Sequence, residues 1–147
     1  MIQGRAQSLS EHRSLPKLIL IVEDDAVNAD CLASIISRET PYYAFVVSDG
    51  LRALWFVRHI KPQLFILDCR LPGMNALELY DHLHANRDLQ DIPVLILSAC
   101  IEYYQNDIKA RRLRSLSKPF DLDELLSTIE SLLDSSPIEQ AYSRGCM

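Results

Sequence analysis

The chain has 147 residues, 48% of them apolar and 24% charged, with a net charge of −5. That is enough chain and apolar content for one domain with a buried core, and it excludes wholesale disorder. The negative balance argues against nucleic acid as the main partner, and DNA binding is not expected. No apolar run approaches the roughly 18 residues of a membrane helix, and the first residues lack the apolar region of a secretory signal.

Residues 1–16 read as a flexible leader, residues 17–135 as the domain and residues 136–147 as a tail. The first apolar run, LILIV at 18–22, leads into Glu23-Asp24-Asp25. Leu32, Ile35 and Ile36 then form a helical stripe. AFVV at 44–47 follows, and Leu51, Leu54, Trp55 and Ile60 form a second stripe expected to face the core. Pro62 precedes LFIL at 64–67, which ends in Asp68, and Pro93 precedes VLIL at 94–97, which ends in Ser98. A weaker run, SLSK at 115–118, ends in Lys118 before Pro119. Asp121 and Glu124 have capping-box spacing ahead of the clearest stripe, Leu122, Leu125, Leu126, Ile129, Leu132 and Leu133.

Runs that are apolar on consecutive residues suit strands buried on both faces, as in parallel sheets. Five strand–helix repeats imply right-handed crossovers and an α/β/α sandwich. The four cysteines, Cys31, Cys69, Cys100 and Cys146, are widely spaced without a CxxC pair, which fits reduced thiols in the cytoplasm rather than zinc or disulfide chemistry.

In an open parallel sheet, ligands bind beyond the carboxyl ends of the strands. Glu23, Asp24, Asp68, Ser98 and Lys118 all fall there. Singly, each has a structural explanation: the acidic trio can cap a helix, Asp68 can open the turn before Pro72-Gly73, and Ser98 and Lys118 can be solvated. Together they form a chemical set. Clustered carboxylates offer hard oxygen ligands suited to Mg²⁺, and they repel one another without a cation. An Asp beside Mg²⁺ can act as a nucleophile toward phosphorus. Lys118 can then neutralise phosphoryl oxygens; two unit charges about 4 Å apart interact by about 4 kcal/mol at an effective dielectric near 20.

The ordered motifs LILIVEDD, VVSDGLRAL, LFILDCRLPGMNALEL, IPVLILSA and SKPF resemble the receiver domains of two-component response regulators over about residues 17–135. The resemblance implies a flavodoxin-like (βα)5 fold with strand order 2-1-3-4-5. It implies Asp68 as phosphoacceptor, Glu23 and Asp24 as acidic metal ligands, and the Arg70 carbonyl as a further ligand to Mg²⁺. It also implies Ser98 as the switch hydroxyl, Lys118 as the phosphoryl-binding lysine, and a cis Lys118–Pro119 peptide. The phosphoryl donor would be a phosphohistidine on a sensor histidine kinase or phosphotransfer protein, with a downstream protein as target. His59, His82 and His84 lie on expected helices and receive no such role.

Three positions depart from the family pattern. Ser115 stands where an aromatic switch residue is usual, Arg111-Arg112-Leu113-Arg114 replaces a Gly-Ala-Asp-Asp-like segment, and Ala76 replaces a frequent glycine. Lys109, Arg111, Arg112 and Arg114 are therefore candidates for a basic partner surface, and Tyr103 or Tyr104 for a substitute ring. The leading expectation is a stand-alone receiver that accepts and hydrolyses its own phosphoryl group and is not a metabolic enzyme. The alternatives are a pseudo-receiver scaffold indifferent to phosphate and a Mg²⁺-dependent phosphatase, the latter lacking sequence for a substrate-binding cap.

Overall fold

The computed structural model describes residues 16–134. Apart from Pro16, the leader lies outside those residues, as do the tail and Cys146. Five strands, β1 (Leu18–Val22), β2 (Tyr43–Val47), β3 (Leu64–Asp68), β4 (Val94–Ser98) and β5 (Arg114–Ser117), form one sheet. All are parallel, in the order β2-β1-β3-β4-β5. Helices α1 (Ala26–Glu39), α2 (Gly50–Val57), α3 (Ala76–His84), α4 (Ile101–Ala110) and α5 (Leu122–Asp134) alternate with them. This is the flavodoxin-like (βα)5 architecture expected from the sequence.

The apolar runs become strands for a plain reason. β1, β3 and β4 are central and covered on both faces, so their consecutive apolar residues are buried, apart from half-buried Leu18 at the start of β1. Leu20, Val22, Phe65, Leu67 and Ile96 face one apolar cluster; Ile19, Ile21, Leu64, Ile66, Leu95 and Leu97 face the other. Each fully buried large side chain contributes about 1.5–3 kcal/mol by leaving water. β2 and β5 are the sheet edges, and they depart from the expectation of burial on both faces. β2 exposes Tyr43 and Phe45, and β5 buries only Leu116. The last strand ends at Ser117, so Lys118 leaves just beyond the ladder, its N–H donating to the Ser98 carbonyl at 2.9 Å.

The second stripe also departs from expectation. α2 turns Gly50, Ala53 and Phe56 inward, whereas Leu51 and Trp55 face solvent and Ile60 lies past the helix end. Gly50 packs so closely that a Cβ there would stand 3.0 Å from Met74 Sδ. The side of α2 that carries Gly50, Ala53 and Phe56 thus lies against the molecule, and Leu51 and Trp55 lie on the other.

Helix starts follow the capping chemistry. Asp25 caps α1 by accepting from Asn28 N–H, Asn75 and Glu78 form a reciprocal capping box on α3, and Asp121 accepts from Glu124 N–H at 2.7 Å. In α5, Leu125, Ile129, Leu132 and Leu133 are buried, while Leu122 is exposed at the first turn.

Candidate functional site

Side chains from three strand ends meet at the carboxyl edge of the sheet. β1 delivers Glu23 and Asp24, β3 ends in Asp68, and the chain leaving β5 brings Lys118 between them. Lys118 Nζ donates to Asp68 Oδ1 at 2.7 Å and to Glu23 Oε1 at 3.3 Å. Glu23 is only 6% exposed; the Asp68 and Lys118 side chains are 13% and 27% exposed. The other Glu23 oxygen accepts from Asp25 N–H at 3.2 Å. The Lys118 hydrogen bond to the Asp68 carboxylate ends on Oδ1, and no side-chain hydrogen bond among the described residues ends on Oδ2. The Lys118–Pro119 peptide is cis.

Burial, with the Asp68 charge adding to it, pushes the Glu23 carboxyl above its ordinary range against the opposing pull of Asp25 N–H and Lys118. Burial is also the largest influence on Lys118 and acts to lower it. The hydrogen bond and charge of Asp68, joined by Glu23, outweigh it and hold the ammonium above the ordinary lysine value. The lysine is therefore a fixed cation.

One oxygen from each of Glu23, Asp24 and Asp68 lies within 4.8 Å of the others. Three hard carboxylate donors at that spacing fit an oxygen-coordinated divalent cation. No described backbone hydrogen bond ends on the Arg70 carbonyl.

Ser98, buried at the end of β4, is ordered by its neighbours, since its Oγ accepts from Cys100 N–H at 2.9 Å. The Ser98 hydroxyl also lies in hydrogen-bonding range of the Cys69 thiol. Two thiols line this flank, a feature the sequence reading did not anticipate because the cysteines are far apart in the chain. Cys69 is wholly buried next to Asp68, and burial pushes its thiol to about 11. The Arg70 guanidinium donates to Cys100 Sγ at 3.0 Å, bridging the loops after β3 and β4. The loop after β3 turns at Gly73, whose φ of 77° is the left-handed conformation that glycine adopts without strain.

The residues at departures from the pattern fall into distinct places. Ser115 is half-buried on β5, opposite Ile96. Tyr103 is 82% exposed, while Tyr104 packs against the core, the two rings meeting edge-on at 4.9 Å. Arg111 does not present a free cation: it forms a two-point ion pair with Asp81 of α3 at 2.9 and 2.8 Å. Lys109, Arg112 and Arg114 remain exposed. Arg112 adopts a φ of 57° at the turn between α4 and β5.

A five-stranded parallel sheet with an acidic cluster, a hydroxyl and a lysine at its carboxyl edge defines a class of α/β signalling domains that handle phosphoryl groups. The response regulator receiver domain profile matches residues 19–130, so the chain belongs to that family. Among curated proteins, the DNA-binding response regulator MtrA of Mycobacterium tuberculosis is 32% identical over 82% of the chain. Sporulation initiation phosphotransferase F of Bacillus subtilis is 27% identical over 78% of the chain and 92% of its own length. The chain spans only 54% of the MtrA sequence and 8% of a related hybrid histidine kinase. Among solved structures, the signal receiver domain of a histidine kinase from Syntrophus aciditrophicus superposes with a TM-score of 0.72 at 28% identity, covering 80% of this chain and 89% of that one. The protein is a response regulator receiver of two-component signalling, a family of phosphoacceptors that work with histidine kinases or phosphotransfer proteins. Among the described residues, no helix is long and apolar enough to cross a membrane.

Proposed function

We propose that Asp68 is the phosphoacceptor, taking its phosphoryl group from a phosphohistidine on a sensor kinase or phosphotransfer protein. The observation that supports this most is the setting of one carboxylate: Asp68 accepts from Lys118 on Oδ1 and lies in the acidic cluster with Glu23 and Asp24. Oδ2 forms the new bond to phosphorus as the donor's nitrogen–phosphorus bond breaks, its electron pair leaving with the imidazole. Lys118 then transfers its hydrogen bond to a phosphoryl oxygen, and the Ser98 hydroxyl donates to another. Glu23, Asp24, Asp68 and the Arg70 carbonyl would hold Mg²⁺, which when bound supplies positive charge to the phosphoryl oxygens. Water attacking phosphorus in the same site breaks the bond to Oδ2, releases inorganic phosphate and returns the free carboxylate, so phosphorylation is self-limiting.

Phosphorylation switches partner binding or passes the group onward. Lys109, Arg112 and Arg114 are the exposed cations proposed for partner contact; Arg111 instead ties α4 to α3. With Ser115 offering no ring, Tyr104, packed near Cys69 and Cys100, is the better placed of the two tyrosines to respond. The cytoplasm is the proposed setting, where the free thiols stay reduced. The complete acidic, Ser and Lys set weighs against a scaffold indifferent to phosphate.

The test is incubation with Mg²⁺ and acetyl phosphate, followed by intact mass. One added phosphoryl group on the wild type and none on Asp68→Asn is expected. A folded, Mg²⁺-binding wild type that gains nothing would contradict the reading.

A further inference from the structure

The flank of the site carries two thiols that the phosphoryl chemistry leaves unused. Cys69 follows Asp68 at the end of β3 and is wholly buried, whereas Cys100 stands at the start of α4 and is half-buried. One hydroxyl oxygen meets both residues. Ser98 Oγ accepts from Cys100 N–H at 2.9 Å and lies in hydrogen-bonding range of the Cys69 thiol. Strand pairing agrees: Asp68 lies opposite Leu97, and Cys69 N–H donates to the Leu97 carbonyl at 3.0 Å. Ile101 and Tyr104 of α4 pack on the apolar cluster that contains Cys69, so Cys100 enters its helix on the Cys69 side of the sheet.

The other described thiol is elsewhere. Cys31 is exposed on α1, whose buried Leu32 and Ile36 belong to the cluster on the opposite face of the sheet. Of the described cysteines, only Cys69 and Cys100 share a face and a neighbour. Adjacent strands lie about 4.8 Å apart, and a disulfide joins Cα atoms about 4.4–6.8 Å apart. The chain turns at Ala99 and Cys100, which brings the Cys100 N–H back onto Ser98 and leaves the pair one strand gap apart. Solvent reaches Cys100 and not Cys69, and the Arg70 guanidinium donates to Cys100 Sγ at 3.0 Å. A partly exposed thiol beside a cation is the kind that oxidants meet first. Its sulfur makes no capping bond to α4, so the helix does not depend on where that sulfur sits.

We infer that Cys69 and Cys100 form a peroxide-sensitive thiol pair that closes to a disulfide beside Ser98 and so silences the acceptor site. The Cys100 sulfur attacks one oxygen of hydrogen peroxide; the O–O bond breaks, leaving Cys100 as a sulfenic acid and releasing water. The Cys69 sulfur then attacks the Cys100 sulfur. The S–S bond forms, the S–O bond breaks, and the hydroxyl leaves with the Cys69 proton as a second water. Two thiols lose two electrons, and one peroxide is reduced to two waters. A dithiol reductant reverses the step by exchange. Transient, redox-sensing disulfides of this kind are compatible with a reducing compartment.

Formation of the bond stands on the two thiols alone; its effect on phosphorylation rests on the reading of Asp68 as acceptor. Ser98 Oγ contacts the Cys69 thiol and the Cys100 N–H, so joining the two sulfurs disturbs both of its partners. The Arg70–Cys100 contact that bridges the loops after β3 and β4 is lost as well. The Ser98 hydroxyl then no longer stands where it donates to a phosphoryl oxygen. Phosphorylation should slow about tenfold, as for removal of that hydroxyl.

The test is treatment of the whole chain with hydrogen peroxide, blocking of the remaining thiols with N-ethylmaleimide, and non-reducing peptide mapping by mass spectrometry. A linked Cys69–Cys100 peptide is expected, with an intact mass about 2 Da lower before blocking that dithiothreitol restores. In Cys69→Ala the same treatment should leave a Cys100 sulfenic acid that dimedone traps; in Cys100→Ser, Cys69 should remain a thiol. Circular dichroism checks that both variants fold, and the wild-type map decides the pairing without them. Linkage of Cys100 to Cys31 or Cys146 in place of Cys69, oxidation of Cys69 in Cys100→Ser, or no linked peptide from folded wild type overturns the pair. The rate of phosphorylation by acetyl phosphate is then compared before and after linkage. A linked protein phosphorylated as fast as the reduced one overturns the silencing. A reduced protein that takes no phosphoryl group removes the silencing together with the acceptor reading, while the linked peptide still decides the pair.

Discussion

Replacing Lys118 by methionine keeps the length of the side chain and removes its charge. In the wild type, Nζ stands 2.7 Å from Asp68 Oδ1 and 3.3 Å from Glu23 Oε1. At an effective dielectric near 20 those contacts are worth roughly 6 and 5 kcal/mol of gross attraction, most of it offset by the cost of dehydrating the three groups. Stripping one partner from a fully buried pair costs about 3–5 kcal/mol. Lys118 is 27% exposed, so solvent screens part of the resulting repulsion and a net loss of about 2 kcal/mol is expected.

For a domain of this size that loss lowers the unfolding midpoint by roughly 5–10 °C. The assay is thermal and urea unfolding in EDTA, repeated with Mg²⁺. Because Lys118→Met leaves Glu23, Asp24 and Asp68 without a cation, Mg²⁺ should stabilise the variant more than the wild type. The pH dependence follows from the raised lysine pKa. The contribution is complete below the unfolded lysine value of 10.5 and is lost as pH rises through the higher folded value. A variant as stable as wild type in EDTA at neutral pH, or a wild-type advantage that persists after Lys118 has deprotonated, would refute the reasoning.

Other outcomes can be checked alongside. Glu23→Gln should leave metal-free stability unchanged or improved at neutral pH, because burial makes the ionised carboxyl costly, while Mg²⁺ affinity measured by titration falls. Ser98→Ala should slow phosphorylation by acetyl phosphate by about tenfold or more without abolishing it, since a hydroxyl donor is lost and the nucleophile remains. Arg111→Ala should cost about 1 kcal/mol in urea unfolding through loss of the two-point pair with Asp81, with unchanged phosphorylation. The Asp81 carboxyl is held below its ordinary value chiefly by its hydrogen bond to Arg111. The wild-type advantage over Arg111→Ala should therefore be present above the unfolded Asp value of 3.8 and fade as pH falls through the folded one. The Tyr104 ring environment, followed by NMR, should change on adding a phosphoryl mimic, whereas an unchanged Tyr104 would remove it as a substitute for the missing aromatic.

Much of this site was legible because its residues sit at strand ends, and strand ends are easy to read when the strands are apolar throughout. LILIV, LFIL and VLIL announce β1, β3 and β4, so Glu23, Asp68 and Ser98 could be placed on one edge by counting. The pairing of Lys118 with both Asp68 and Glu23 needed the structure, since it joins residues 50 and 95 positions apart. Helix α2 was misread for a physical reason. Leu51, Leu54 and Trp55 have helical spacing, but the side that faces inward carries Gly50 and Ala53 beside Phe56, and small residues add little to an apolar count. The two edge strands were harder to characterise because an edge needs apolar residues on fewer sides, which is why RSLS carries a weak signal and Lys118 seemed part of it. Arg111 looked like a docking cation because the sequence does not show that α3 presents Asp81 to it.

The central claim is that Asp68, and no other carboxylate of the cluster, carries the phosphoryl group. Borohydride reduction of acetyl-phosphate-treated protein, followed by proteolysis and peptide sequencing by mass spectrometry, reads the acceptor directly. The account predicts homoserine at position 68. Homoserine at position 24, the equivalent reduction product at position 23, or no reduction product in a folded, Mg²⁺-loaded protein would contradict it.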